Sequence, residues 1–334
     1  MEENNSLTIS EAAKFIGTQP ATVSRWLRHG LIELNEEGLC DKTVLSRLSP
    51  KNLVEPSEKN LGMRVVSFFS GCGGLDLGFS QAGFQLGFAN DFFLSAAKTY
   101  SNNLGPIDPR SIYEIEVTDV GKADVILAGF PCQPFSNAGS RKGTSDPRGT
   151  LFWETLRFIE ETRPKIVVFE NVRGLLSIKN PDGELLIDAI EREVESRGYL
   201  VSHKLLNASD FGVPQNRHRV FVVGVRADLN KQLFDFESIV RSEGKTVGEA
   251  LKNLPKKDPN DEHWDLSPQA KGLVQFIPEG GSWKSVPYAE LPARLKRIRD
   301  DMARYHSPNF YRRFGMNEVM GTVTAAATPE NSGI

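Results

Sequence analysis

The chain has 334 residues, 39% hydrophobic and 25% charged, with a formal net charge of −3. These are globular values with length for two or three domains, and a near-neutral total leaves room for a basic cleft on an otherwise acidic surface. Three scattered cysteines exclude a disulfide framework and a zinc site, while the N-terminus lacks a signal-peptide apolar region and no apolar run is long enough to cross a membrane, so a reduced, cytoplasmic chain with no membrane partner is expected.

Residues 1–47 form the first predicted unit. Thr8-Ile9-Ser10-Glu11 fits a capping box that opens a short helix over 11–16, and Gly17 ends it. Pro20 suits the first turn of a second helix over 21–29, which Gly30 terminates. Val23, Trp26 and Leu27 give that helix an apolar face, and Ser24, Arg25 and Arg28 fall mostly on the other side. Helix, tight turn, helix and then Leu31-Ile32-Glu33-Leu34 resembles the winged helix-turn-helix of excisionase-type regulators, which implies DNA contact. A helical hairpin docked on the main domain would give the same pattern. Residues 48–62, with two prolines and mixed charges, read as a linker.

Arg64-Val65-Val66-Ser67-Phe68-Phe69 is a predicted strand, followed by Ser70-Gly71-Cys72-Gly73-Gly74 and a helix from Leu75. Glycines let backbone approach a ligand, and free N–H groups at a helix start can hold an anionic group. A second strand over 84–89 ends in Asn90-Asp91-Phe92. An acidic side chain there can accept both hydroxyls of a ribose, cap the helix over 93–100, or do both.

Asp124-Val125-Ile126-Leu127-Ala128 reads as a buried parallel strand. Gly129-Phe130-Pro131-Cys132-Gln133-Pro134-Phe135-Ser136 then forces a loop at the sheet edge where ligands sit in open α/β folds. A packing cysteine needs no such rigid loop, so Cys132 is a candidate functional residue at that edge. The stretch 140–149 is glycine-rich, polar and basic, and longer than a crossover turn requires. A helix over 150–162 buries Leu151, Leu156 and Ile159, and a strand over 165–169 delivers Glu170-Asn171-Val172 to the same edge as Cys132. A helix over 184–196 and a strand over 199–206 come next. In Gln215-Asn216-Arg217-His218-Arg219 the alternation puts both arginines on one side of an extended segment and His218 on the other.

The glycine turn, the Pro-Cys-Gln loop, Glu-Asn-Val and Gln-x-Arg-x-Arg occur in this order across residues 64–225. Together they resemble the cytosine-carbon-5 DNA methyltransferases. The resemblance implies an α/β fold: a doubly wound, Rossmann-like methyltransferase domain at 63–226, between the helix-turn-helix-like unit and a target-recognition domain at 227–334. It implies S-adenosyl-L-methionine as cofactor, its methionine end against Phe69, Gly71, Cys72, Gly73 and Gly74, with Gly129 and Leu151 also in the pocket. Asp91 would take the ribose and Phe92 the adenine face. Ser111 stands where the family usually carries an acid for the adenine amino group, and a serine oxygen accepts more weakly.

The implied chemistry is covalent. A Cys132 thiolate adds to cytosine carbon 6, which makes carbon 5 nucleophilic, and it leaves again after methyl transfer. Glu170 would manage the proton at ring nitrogen 3, Arg217 would donate to the cytosine carbonyl oxygen, and Arg219 would brace Glu170 or the loop. The stretch 140–149 would close over a base swung out of the duplex.

Residues 227–334 show no α/β alternation but carry Arg294-Leu295-Lys296-Arg297-Ile298-Arg299 and Arg312-Arg313, suited to phosphates and guanine edges. Met320-Gly321-Thr322-Val323-Thr324 resembles the close of the recognition domain. The family's following segment and last helix have no counterpart after it, which implies either a partial sequence or a second polypeptide supplying the missing C-terminal motifs. The expected partner is double-stranded DNA, in a restriction–modification setting. Two rival readings are an RNA cytosine methyltransferase, against which 227–334 argues, and a DNA-binding regulator with a catalytically incomplete domain.

Overall fold

The computed structural model describes residues 6–16, 20–48, 60–131, 151–180, 182–229, 232–252, 254, 266–301 and 309–324. At the start of the chain, β1 (Ser6–Leu7) is followed by α1 (Ile9–Ile16) and α2 (Pro20–Arg28). The capping box forms: the Glu11 N–H donates to Thr8 Oγ1 at 3.3 Å and the Thr8 N–H to Glu11 Oε2 at 2.9 Å. Gly30, at φ +69°, turns the chain out of α2.

No strand is formed over residues 31–34. Leu31 and Ile32 are buried in the helical core instead, and only Leu34 bridges to Cys40. The cause is Asn35, whose side-chain carbonyl accepts the Glu37 and Leu39 N–H groups and folds 35–39 into a tight turn. The antiparallel partner of β1 is β2 (Cys40–Asp41), which leads into α3 (Lys42–Leu48).

The α/β part alternates as expected: β3 (Arg64–Phe68), α4 (Gly74–Gln81), β4 (Gln85–Asn90), α5 (Leu94–Asn103), α6 (Val117–Val120), β5 (Val125–Ala128), α7 (Leu151–Thr162), β6 (Ile166–Val172), α8 (Leu186–Glu195) and β7 (Tyr199–Asn207). Short β8 (Gln215–Asn216) and long β9 (His218–Arg226) follow. The main sheet has the order β4-β3-β5-β6-β9-β7, with β4, β3, β5 and β6 parallel. All four β5 residues are buried, as a strand covered on both faces requires. The chain steps from β3 to β4 on one side and to β5 on the other, so a topological switch point lies between β3 and β5. At the opposite edge, buried Asp124 accepts the Arg64 N–H at 3.0 Å and pairs with Lys165 at 3.1 Å. These contacts hold its carboxyl below the usual range and tie three strand starts together.

Contacts divide the chain into one unit of Met1–Lys204 with Val220–Phe236, and another of Leu205–Arg219 with Glu237–Ile334. The N-terminal helices therefore belong with the sheet rather than apart from it. Ala12, Ala13, Ile16, Val23, Trp26, Leu45 and their neighbours share one core with Ala89, Ala97, Tyr100 and Ile107. Part of the predicted linker is also tied down, since the Leu61 N–H bonds the Gly83 carbonyl and the Gln85 N–H the Met63 carbonyl. Arg25, expected on the solvent side of α2, instead pairs with Asp108 at 2.5 Å.

The second unit contains α9 (Val247–Leu251), α10 (Pro268–Val274), α11 (Ala293–Asp300) and β10 (Met320–Gly321). It has its own core of Leu273, Ile277, Trp283, Val286, Leu291, Leu295, Phe310 and Tyr311. Arg294 and Arg297 on α11 are exposed. Among the described residues, no helix is long and apolar enough to cross a membrane.

Candidate active site

The register of the four parallel strands brings the expected residues to one place. Phe68 is level with Asn90 on β4 and Ala128 on β5, and Ala128 is level with Phe169 on β6. One residue further along each chain come Asp91, Phe69, Gly129 and Glu170. They form the next row at the switch point: Asp91, Phe69 and Gly129 just past the ends of β4, β3 and β5, and Glu170 still within β6, which runs on to Val172. The Gly129 N–H donates to the Phe68 carbonyl at 3.3 Å, and the Ser70 N–H to the Asn90 carbonyl at 3.0 Å, so adjacent exits remain paired.

The turn after β3 is built from left-handed backbone. Phe69 lies at φ +54°, Gly71 at +56° and Gly73 at +89°. A phenylalanine rarely adopts this region, and such residues gather where a site needs a particular backbone path. The Gly71 and Gly73 N–H groups are taken by Asp91 and by the Ser70 carbonyl, so an anionic group would meet the turn at the start of α4. Cys72 and Gly74 are exposed, and the space where a Cβ on Gly71 would stand is open.

Beneath the turn lies a polar group that sequence reasoning missed. Asp76, in the first turn of α4, is 1% exposed. It accepts from Ser67 Oγ and Tyr100 Oη, each at 2.9 Å, and Ser70 Oγ donates to Ser67 Oγ at 2.9 Å. Burial pushes the Asp76 carboxyl up to about 6, against the pull of its two hydroxyl donors. Burial first, and then Asp76, push Tyr100 well above its ordinary value, so its hydroxyl stays a donor.

Asp91 is 8% exposed and braces the turn from the side. Its Oδ2 accepts the Gly71 N–H and its Oδ1 the Phe93 N–H, both at 2.8 Å. It thus holds the residue that precedes α5 and grips the glycine turn at once, without capping the helix itself, and each oxygen keeps a second lone pair for a ligand hydroxyl. Burial raises its carboxyl, and the two N–H donors oppose that. Next to it, Phe92 is 53% and Phe93 60% exposed, with ring centroids 4.2 Å apart. Adjacent large apolar side chains facing solvent beside a buried carboxylate suit a flat heterocycle whose sugar meets the acid. Ser111 precedes the 3₁₀ turn Ile112–Glu114 and makes no capping bond to it. It is two residues past Pro109, on a segment held against β4: Asn90 Nδ2 donates to the carbonyls of Asp108 and Arg110 at 2.9 and 2.7 Å.

Cys132 lies outside the described residues, as does the stretch 140–149. The approach to Cys132 is described as far as Pro131. Phe130 is buried against Phe152 and Phe169, at centroid distances of 5.3 and 5.5 Å. Its carbonyl accepts from Asn171 Nδ2 at 2.9 Å. Asn171 is the second residue overlooked: it stands in the Glu-Asn-Val triplet, yet nothing in the triplet's spacing says that the amide holds the neighbouring strand's exit. Glu170 leans toward the same exit, with Oε2 3.8 Å from where a Cβ on Gly129 would stand. Leu151 is the first residue of α7 and half-buried.

Arg217 and Arg219 belong to the second unit, and the expected alternation is present there. Gln215, Arg217 and Arg219 are half-buried, whereas Asn216 and His218 are exposed. The strand breaks at Arg217, between β8 and β9. Its carbonyl accepts the Ala208 N–H at 3.0 Å, β8 pairs in parallel with β10, and Thr322 Oγ1 donates to the Asn216 carbonyl at 2.7 Å. Among the described residues, no cluster of three or more His, Cys, Asp or Glu is arranged for a metal.

A doubly wound sheet with a glycine turn and two acids in one row at its switch point has the layout of a Rossmann-like α/β enzyme. The chain belongs to the C-5 cytosine-specific DNA methylase family, whose model matches residues 63–320. It is 36% identical over 276 residues to type II methyltransferase M.NgoFVII of Neisseria gonorrhoeae, across 79% of this chain and 70% of that protein. It is 42% identical over 210 residues to type II methyltransferase M.FnuDI of Fusobacterium nucleatum, across 61% of this chain and 60% of that one. The chain thus spans less than two thirds of the Fusobacterium protein. In fold it is similar to a crystal structure of a prophage-encoded DNA modification methyltransferase from E. coli, with a TM-score of 0.53 and 23% identity over 78% of this chain and 82% of that one.

Proposed function

We propose that this chain methylates carbon 5 of cytosine within a specific double-stranded DNA sequence, with S-adenosylmethionine as donor, as the modification enzyme of a restriction–modification system. The observation that carries the reading is the row Asp91, Phe69, Gly129 and Glu170 at the switch point, set by the register of β4, β3, β5 and β6. The residues present fit the cofactor: the exposed start of α4 at Cys72 and Gly74 for a carboxylate, Asp91 for ribose hydroxyls and the exposed Phe92 face for adenine. When bound, the cofactor supplies an electrophilic methyl group.

The chain's own residues do the rest. The Cys132 thiolate adds to carbon 6 of a cytosine swung out of the duplex, and the ring electrons move toward nitrogen 3 and carbon 5. Glu170 gives nitrogen 3 its proton or hydrogen bond, and Arg217 donates to the carbonyl oxygen. After carbon 5 is methylated, loss of its proton to a base expels the thiolate and restores the ring. Asn171 holds the Phe130 carbonyl, two residues from the sulfur, and so fixes where the nucleophile loop begins.

Transfer of a radiolabelled methyl group tests this reading. Wild-type chain is expected to label duplex DNA and not RNA, and Cys132→Ala to lose labelling while keeping cofactor affinity. Undiminished labelling by Cys132→Ala would refute the mechanism.

A further inference from the structure

The N-terminal unit is docked by polar contacts that a merely space-filling helical pair would not need. α2 faces the segment running from Ile107 to Ser111, and two of its consecutive residues grip that segment differently. Trp26 is fully buried, and its Nε1 donates to the Ile107 carbonyl at 2.8 Å. Arg25 Nη1 bonds Asp108 Oδ2 at 2.5 Å, and its Nη2 lies 3.7 Å from Asp119. Arg110 completes the cluster, with Nη2 at 2.9 Å from Asp108 and 2.6 Å from Asp119. Two arginines and two aspartates alternate, so the charges balance. Asp108 is the most enclosed member, with a side chain 4% exposed.

The other side of the same segment is bonded to the pocket. The Asp91 N–H donates to the Asp108 carbonyl at 3.2 Å, and the Asp108 N–H to the Ala89 carbonyl at 2.8 Å. Asn90 Nδ2 spans the Asp108 and Arg110 carbonyls. Asp108 thus lies between α2 and the Asp91 corner and is bonded to both, with Ile107 bonded to α2 and Arg110 to Asn90 on either side of it.

We infer that Arg25 and Trp26 are positioning residues for the nucleoside end of the cofactor pocket, so that the N-terminal unit forms its outer wall. They act through Asp108 and the Ile107 carbonyl, and neither touches the ligand. This rests on the cofactor reading above. It also means that the Arg25 face of α2 is engaged inside the chain while the unit is docked.

The test uses full-length chain with Arg25→Ala, Arg25→Lys and Trp26→Phe, the last keeping an aromatic ring, though a smaller one, and losing the donor. The first readout is amide hydrogen exchange without cofactor. Exchange at Asp108, Arg110 and Ile112 is expected to rise about tenfold in Arg25→Ala and Trp26→Phe, the size of one lost bond to a charged or buried group, with β3 and β5 unchanged. The second is S-adenosylmethionine binding by titration calorimetry, where Kd is expected to rise by about tenfold with kcat at saturating cofactor unchanged. Arg25→Lys is expected to recover part of both, since it restores the charge without bridging two carboxylates. Unchanged exchange at 108–112 in both Arg25→Ala and Trp26→Phe overturns the inference, as does unchanged Kd. A wild-type chain that binds no S-adenosylmethionine sinks the cofactor reading and the Kd claim with it, while the exchange experiment still judges the docking on its own.

Discussion

Asp76 gives the sharpest quantitative test, because its burial has a definite sign with pH. In the fold its carboxyl titrates at about 6, against 3.8 for an unperturbed one. Between those values the unfolded chain has released the proton and the folded chain has kept it. Unfolding therefore releases a proton across this window, and stability falls as pH rises from about 4 to about 6 before levelling off. The difference corresponds to roughly 3 kcal/mol at neutral pH relative to acid, at 1.36 kcal/mol per pKa unit. Asp76→Asn cannot titrate, so it lacks this slope. It also loses one acceptor for Ser67 and Tyr100, which lowers its stability by a pH-independent amount of about 1–2 kcal/mol. Urea denaturation of both proteins from pH 4 to 7.5 gives the difference in unfolding free energy at each pH. Wild type is expected to lose about 3 kcal/mol relative to Asp76→Asn over that range. A difference that stays flat with pH would show that the carboxyl is not held in the dry network described.

Further expectations concern the turn, the loop and the acid. Gly73→Ala places a methyl 2.2 Å from Leu104 Cδ1 and 2.8 Å from the Tyr100 ring, at φ +89°. The leucine tip can turn aside but the ring cannot without leaving Asp76, so a loss of about 2–4 kcal/mol is expected by thermal unfolding, and a normal Tm would contradict the packing. Asn171→Ala strips the donor from the buried Phe130 carbonyl. Methyl transfer should slow by roughly 10–100-fold, from about 1–3 kcal/mol of lost positioning, with cofactor Kd unchanged in equilibrium titration. Cofactor binding should weaken in acid as Asp91 protonates and loses an acceptor, starting at a less acidic pH than for an ordinary carboxyl because burial raises it. In Asp91→Asn that pH dependence should vanish and Kd should rise by about tenfold or more, so a Kd curve with wild-type pH dependence would argue against the ribose role.

Local signals made the skeleton readable. Val125-Ile126-Leu127-Ala128 is apolar at every position, which only a strand covered on both faces explains, and the glycine turn after Phe68 sits where the strand ends. The place of Asp91, just past a short strand and just before a helix, was legible for the same reason. What stayed hidden was set by pairs distant in sequence. The apolar side of α2 predicts that Trp26 is buried, but its acceptor is 81 residues away and the partner of Arg25 is 83 residues away. A hairpin docked on a neighbour and a helix pair facing DNA share one sequence pattern, and the deciding charge was on the neighbour. Asp76 was hidden differently. It sits at a core position of a glycine-rich helix, where an acid reads as a first-turn residue that favours the helix dipole until Ser67 and Tyr100 are seen around it.

The position of β4 explains why an N-terminal unit should belong to a methyltransferase site at all. β4 is the edge of the main sheet and carries Asp91 at its end. An edge strand offers unpaired backbone groups to solvent and to other chains, and its last residues fray most readily. Here the exposed side of that end is paired by the Asn90–Asp108 bridge, a single bridge rather than a strand. A lone bridge has little stability of its own, so its hold on Asp91 depends on what fixes Asp108. That is the paired arginines and the indole donor, backed by the core that α1, α2 and α3 share with Ala89, Ala97 and Tyr100. Tyr100 in turn donates to Asp76 under the glycine turn. One continuous set of contacts therefore runs from the N-terminal helices to the glycine turn and to Asp91, the two ends of the proposed cofactor pocket, and the corner that would otherwise be the loosest part of the sheet becomes a place where a carboxylate can be held ready.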